Sequence, residues 1–177
     1  MTRIAFAFVT VLPVFGLAAI AQERANKKEA AAGPTKATYL ITGLHCPPCT
    51  KTVESSLRNV KGVHSVKVDW KSRNARVQFD EDLLPAQKLA EMIADTPHMM
   101  GGNMRYGGWL ALKVHNLIDD ATAKQVKEAL SDLAGVERVV AYPERHSVAI
   151  AFGAQGDLTS GQLIDALDGA GIKAENY

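Results

Sequence analysis

The sequence predicts an α+β protein made of two tandem βαββαβ sandwiches with antiparallel sheets. Three observations carry that expectation. The hydrophobic period switches between 2 and 3.6 in the order strand, helix, strand, strand, helix. The same order recurs 73 residues later, with Gly43–Val63 falling on Asn116–Val136 without a gap. Turn residues stand at each change of period.

The first residues do not belong to either sandwich. Met1-Thr2-Arg3 is a short positive start, Ile4 through Ile20 is uncharged and largely apolar, and Ala19-Ile20-Ala21 has the small-x-small form of a secretory cleavage site. Residues 1–21 therefore read as a signal peptide, with an uncleaved N-terminal anchor as the alternative. Both readings make the chain exported, secreted or periplasmic, and the first leaves nothing inserted in a membrane after cleavage. Residues 22–36 carry no strand pattern and stop at Gly33-Pro34, so they read as a linker.

The first unit is expected over residues 37–106. Ala37 to Thr42 mixes aliphatic, aromatic and β-branched residues and ends at Gly43, which predicts a short buried strand. Val53, Leu57 and Val60 follow at helical spacing, and Lys61-Gly62 stops that helix. Val63–Trp70 and Ala75–Phe79 alternate apolar and polar residues around the polar turn Lys71-Ser72-Arg73-Asn74, a hairpin. A second helix is expected from Pro85, buried through Leu89, Met92 and Ile93, and the closing strand near Asn103-Met104-Arg105-Tyr106. That order is the ferredoxin-like βαββαβ unit.

Past Gly107-Gly108 the second unit, residues 107–177, repeats it. Leu44, Val53, Leu57, Gly62, Val63, Val66 and Phe79 fall on the same residue types at Leu117, Val126, Leu130, Gly135, Val136, Val139 and Phe152. The cysteines do not repeat. Cys46 falls on Asp119 and Cys49 on Thr122, where Asp119 or Asp120 reads as a helix cap.

The 177 residues are 47% hydrophobic and 22% charged with a formal net charge of +1, and no dense basic stripe interleaved with aromatics appears. Nucleic acid is therefore not the expected partner. The halves differ in sign, residues 35–105 carrying a net +3 and residues 106–177 a net −4, which reads as two solvated faces.

The two cysteines of the chain, Cys46 and Cys49, stand where the first strand turns into its helix. A helix start favours negative charge, and the thiolate is both nucleophile and metal ligand. The loop between them is too short for a disulfide to restrain much unfolded-chain entropy, so a working dithiol is the better reading than a staple. Soft ions suit two sulfurs, while zinc requires further ligands.

Gly43-Leu44-His45-Cys46-Pro47-Pro48-Cys49, followed by Val53, Leu57 and Gly62-Val63, resembles the heavy-metal-associated domain of copper chaperones, metal-transporting ATPase N-termini and periplasmic mercury-binding proteins. The resemblance covers residues 37–106, and 109–177 as a degenerate copy. It implies a soft ion held by Cys46 and Cys49, Cu(I) foremost with Hg(II) or Zn(II) as alternatives, and passed by ligand exchange to a metal-transporting membrane protein or another carrier. Leu44 stands where the family usually has Met, and Pro47-Pro48 should stiffen the turn while removing two amide donors.

Other residues keep two readings. His98, Met99, Met100 and Met104 are either soft donors beside the metal loop or gap-filling side chains. His45 reads as an exposed neighbour that tunes the thiolates, with a direct metal ligand as the alternative, and His64, His115 and His146 as surface or edge histidines. Trp70 and Trp109 are expected to cover the sheet. No nucleophile elbow, phosphate loop or His-Glu-x-x-His pattern is present, so hydrolysis is not expected. Two alternatives to a metal carrier stay open: a thiol-disulfide oxidoreductase using the same dithiol, and a docking module without catalysis.

Overall fold

The computed structural model describes residues 33–154 and 156–177. The signal-peptide reading of residues 1–21 and most of the linker lie outside the described residues. Strand β1 (Thr35–Thr42) turns Ala37, Tyr39 and Ile41 to one face, all buried. Helix α1 (Pro47–Arg58) follows with Cys49, Val53 and Leu57 on one stripe at a spacing of four residues. Strands β2 (Val63–Asp69) and β3 (Asn74–Phe79) bury Val66, Val68, Ala75, Val77 and Phe79. Their hairpin is closed by the Asp69 carboxylate, which accepts from the Lys71 and Ser72 amides at 2.7 and 2.9 Å. Those hydrogen bonds, above all the one from Ser72, lower the carboxyl's pKa.

Helix α2 (Ala86–Asp95) is fixed to the sheet by Leu89 and Ile93, both fully buried, with Met92 packed at the margin. The buried Tyr39 hydroxyl donates to the Ala86 carbonyl at 2.9 Å, and burial, then the Glu81 charge, raises its pKa well above the ordinary phenol value. Strand β4 (Gly107–Val114), helix α3 (Asp120–Ser131), strands β5 (Val136–Tyr142) and β6 (Ser147–Phe152), helix α4 (Ser160–Gly169) and strand β7 (Ala174–Asn176) complete the chain.

All pairings are antiparallel, in the order β2-β3-β1-β4-β6-β5, with β7 also on β4. Two ferredoxin-like orders are contained in it, β2-β3-β1-β4 and β5-β6-β4-β7. They share β4. Its first part, Gly107–Ala111, pairs with β1, and its last part, Leu112–Val114, pairs with β7. Among the described residues, seven strands thus serve two units, and residues 34–177 form one compact body.

The closing strand was expected near 103–106 and starts instead at Gly107. Gly107 and Gly108 are strand residues packed too closely for a side chain: a Cβ at Gly107 would run into the Thr42 hydroxyl, and α2 lies directly over Gly108. A Cβ at Gly108 would come within 3.0 Å of Ile93 Cδ1 and 3.2 Å of Ala90 Cα. Leu110, Leu112 and Val114 then join the core from the same strand.

Polar contacts hold the two units together from α2 and the turn before it. Gln87 is fully buried; its amide nitrogen donates to the Gly153 carbonyl at 3.1 Å and its oxygen accepts from the Leu158 amide at 3.3 Å. Breaking such a pair leaves buried backbone groups unsatisfied, at a cost of about 1–3 kcal/mol. Glu81 accepts from the Ser160 amide and hydroxyl at the start of α4, where a carboxylate also complements the helix dipole.

Because β1 and β4 are antiparallel, the turn after β1 lies at one end of the sheet and the turn after β4 at the other. The cysteine turn therefore neighbours the segment that enters β4. Its counterpart in the second unit is far from it.

Candidate metal centre

Cys46 is the residue before α1, in extended backbone at φ −147°, and Cys49 is the third residue of the helix. Their Cα atoms are 5.3 Å apart and the two sulfurs form a disulfide. Cys49 is fully buried and Cys46 half-buried, so the two residues differ in their access to solvent. Pro47 and Pro48 stand at the two helical positions between them and present exposed rings. They carry no N–H, and the Cys49 amide donates to the Cys46 carbonyl at 3.0 Å. A helix start ordinarily leaves unpaired amides that favour a thiolate. The prolines remove two of those donors, so the dipole of α1 is the backbone's remaining contribution to a thiolate there.

Beneath the turn, Leu44 is buried in the core. Gly43 has φ +80°, and a side chain there would run into the Arg105 carbonyl oxygen. That close approach brings the segment 97–106 against the cysteine turn. His98 Nε2 lies 2.9 Å from the Gly43 carbonyl oxygen, while the Met100 amide donates to His98 Nδ1 at 3.2 Å. An Nδ1 that accepts fixes the proton on Nε2, which donates to Gly43. The His98 ring stacks on Tyr106 at 4.5 Å and meets the exposed His45 edge-on at 5.8 Å.

The structure thus brings His45 and His98 to the cysteine turn, and leaves Met99 and Met100 exposed on the adjoining loop. Met104 is half-buried and lines, with His98 and Asp95, a cavity of about 390 Å³. His64, His115 and His146 are exposed and away from the pair, and His146 Nδ1 lies 2.9 Å from the Leu117 carbonyl. Trp70 packs partly against the core and Trp109 lies half-buried in β4. Tyr106 escaped the sequence reading as a site residue. Its ring is buried, and its hydroxyl has no hydrogen-bond partner among the described residues.

At the equivalent turn of the second unit, Asp119 caps α3. Its carboxylate accepts from the Thr122 amide at 2.7 Å, and that bond, before any other cause, lowers its pKa. Among the described residues, no group of three or more His, Cys, Asp or Glu side chains converges as a metal-ligand set.

Fold and turn together define a small α+β module that presents a pair of cysteines, here joined as a disulfide, at a strand-to-helix junction. A family model for the heavy-metal-associated domain matches residues 38–98. Residues of this chain are 34% identical over 55 positions to the copper chaperone CopZ of Staphylococcus haemolyticus, covering 31% of this chain and 81% of that one. They are 38% identical over 58 positions to the periplasmic component of the mercuric transport protein of Shigella flexneri, covering 33% of this chain and 64% of that one. The chain belongs to the heavy-metal-associated domain family. It is also 28% identical over 116 residues to a copper-transporting ATPase of Oryza sativa subsp. japonica, covering 63% of this chain but only 11% of the ATPase. This chain therefore spans about a tenth of the length of that transporter.

Proposed function

We propose that the protein is an exported carrier of a soft metal ion, Cu(I) before Hg(II) or Zn(II), which Cys46 and Cys49 bind once reduced. The observation that carries this reading is the pair itself: two sulfurs close enough to bond, on a turn backed by Leu44 and by the His98 contact, with Cys46 accessible. Two soft ligands suit Cu(I) or Hg(II), whereas a zinc site of four protein ligands has no further partners among the described residues. Ligand exchange through the accessible Cys46 would start delivery. The receiving partner is a metal-transporting membrane protein or another carrier, in keeping with the copper-transporting, copper-chaperone and mercuric-transport relatives.

The metal-holding unit is residues 37–106 closed by β4, and residues 107–177 are a copy without the thiols, structural or partner-recognising. Export rests on residues 1–21 as a signal peptide. Among the described residues no helix is long and apolar enough to cross a membrane.

Titration of the reduced protein with Cu(I) against a competing chelator tests the proposal. One ion per chain held against the chelator is expected at Cys46 and Cys49, and that tight uptake is lost in the Cys46→Ser, Cys49→Ser double variant with the fold retained, any remaining ion being stripped by the chelator. No competitive binding by the reduced protein would reject it. A second reading, non-hydrolytic thiol-disulfide exchange, is favoured by the asymmetry of an accessible Cys46 and a buried Cys49, the arrangement of an attacking and a resolving thiol. Catalytic reduction of a peptide disulfide in the presence of a dithiol reductant is its test.

A further inference from the structure

Met99 and Met100 are 56% and 62% exposed, two adjacent apolar side chains left in water on the loop that abuts the cysteine turn. Core packing does not account for them. The loop is nonetheless held: His98 ties it to Gly43 through Nε2, accepts the Met100 amide at Nδ1, and stacks on the buried Tyr106. Met104 closes the same segment from the cavity it shares with His98. The chain thus fixes the backbone of this loop while leaving two of its thioethers facing solvent.

The chemistry of sulfur separates this loop from the dithiol. With the disulfide closed, neither Cys46 nor Cys49 offers a thiolate. A thioether keeps its lone pairs under the same conditions, is neutral at every working pH, and selects Cu(I) over harder ions. We infer that Met99, Met100 and Met104 form a second soft-metal site, for Cu(I) and ions like it, that operates while the Cys46–Cys49 disulfide is closed. His98 is its anchoring residue, since both ring nitrogens are committed to the backbone. The site lies beside the dithiol, so an ion held there is next to the turn when the disulfide is reduced. The inference rests on the soft-metal reading of the protein but not on the cysteines as ligands.

The test uses the disulfide form of the full protein, with Ag(I) as a redox-inert stand-in for Cu(I), and follows the methionine ε-methyl resonances. The expected result is one Ag(I) per chain with shifts at Met99, Met100 and Met104, and affinity at least about tenfold weaker in the Met99→Leu, Met100→Leu, Met104→Leu variant, whose side chains conserve volume. The Cys46→Ser, Cys49→Ser variant should bind Ag(I) as the disulfide form does. Unmoved methyl resonances, or equal affinity in the leucine variant, would overturn the inference. If the reduced protein takes up Cu(I) through its cysteines and the disulfide form takes up no Ag(I), only the thioether site falls. The converse result removes only the dithiol site.

Discussion

Cys46 and Cys49 have unequal access to solvent, and that inequality orders events at the turn. A reductant or an acceptor's thiol meets Cys46 first, because Cys49 is sealed beneath the helix start. Tyr106 is the other residue whose environment makes a sharp demand. Its buried hydroxyl lacks a partner among the described residues, so removing that oxygen removes a desolvation cost. Tyr106→Phe is expected to leave stability unchanged or raise it by about 1 kcal/mol in urea unfolding, with the stack on His98 retained. A clear loss would show that the hydroxyl has a partner that matters. The dithiol was legible in the sequence because its spacing is local. The bond from His98 to Gly43 was not, since it joins residues 55 apart and a backbone carbonyl leaves no mark in a sequence.

Helices α1 and α3 start at equivalent places in the two units and solve the same problem differently. At α1 the donors are removed by Pro47 and Pro48, leaving Cys46 without a side-chain cap bond; at α3 the donor of Thr122 is met by Asp119. Because the folded Asp119 carboxyl is more acidic than the unfolded one, its stabilisation is complete above the unfolded value and drains away as pH falls through the folded one, below about pH 4. Asp119→Asn keeps a capping oxygen but not the titration. Thermal melts of that variant should therefore lose stability less steeply than the parent on acidification below about pH 4; parallel acid limbs would contradict the assignment. The cap at α3 was readable from Asp119 and the repeat. Strand β4 was misplaced because Gly107-Gly108 carries the usual signal of a turn, and only tertiary packing, of Thr42 against Gly107 and of Ile93 and Ala90 over Gly108, explains glycine there.

For the molecule as a whole, sharing β4 makes each unit incomplete without residues of the other half. A chain cut after residue 106 lacks the strand that pairs with β1, whereas one cut after residue 114 retains it. The first is expected to lack cooperative unfolding and the second to recover it at reduced stability, having lost the contacts of Gln87 and Glu81 with the second unit; circular dichroism melts distinguish them. Folding of the shorter piece would show that β4 is dispensable to the first unit. The repeat was visible in the sequence, but its seam was not, because a strand with partners on both edges carries the same alternation as one serving a single sheet.

The antiparallel run of β1 and β4 also sets a limit on traffic. The cysteine turn and the capped turn of α3 stand at opposite ends of β4, a strand of 8 residues and so about 25 Å long. Even if Asp119 and Thr122 were both replaced by cysteine, no ion could step from one dithiol to the other by shared ligands. The two ends would load and unload independently, each requiring its own visitor from solution.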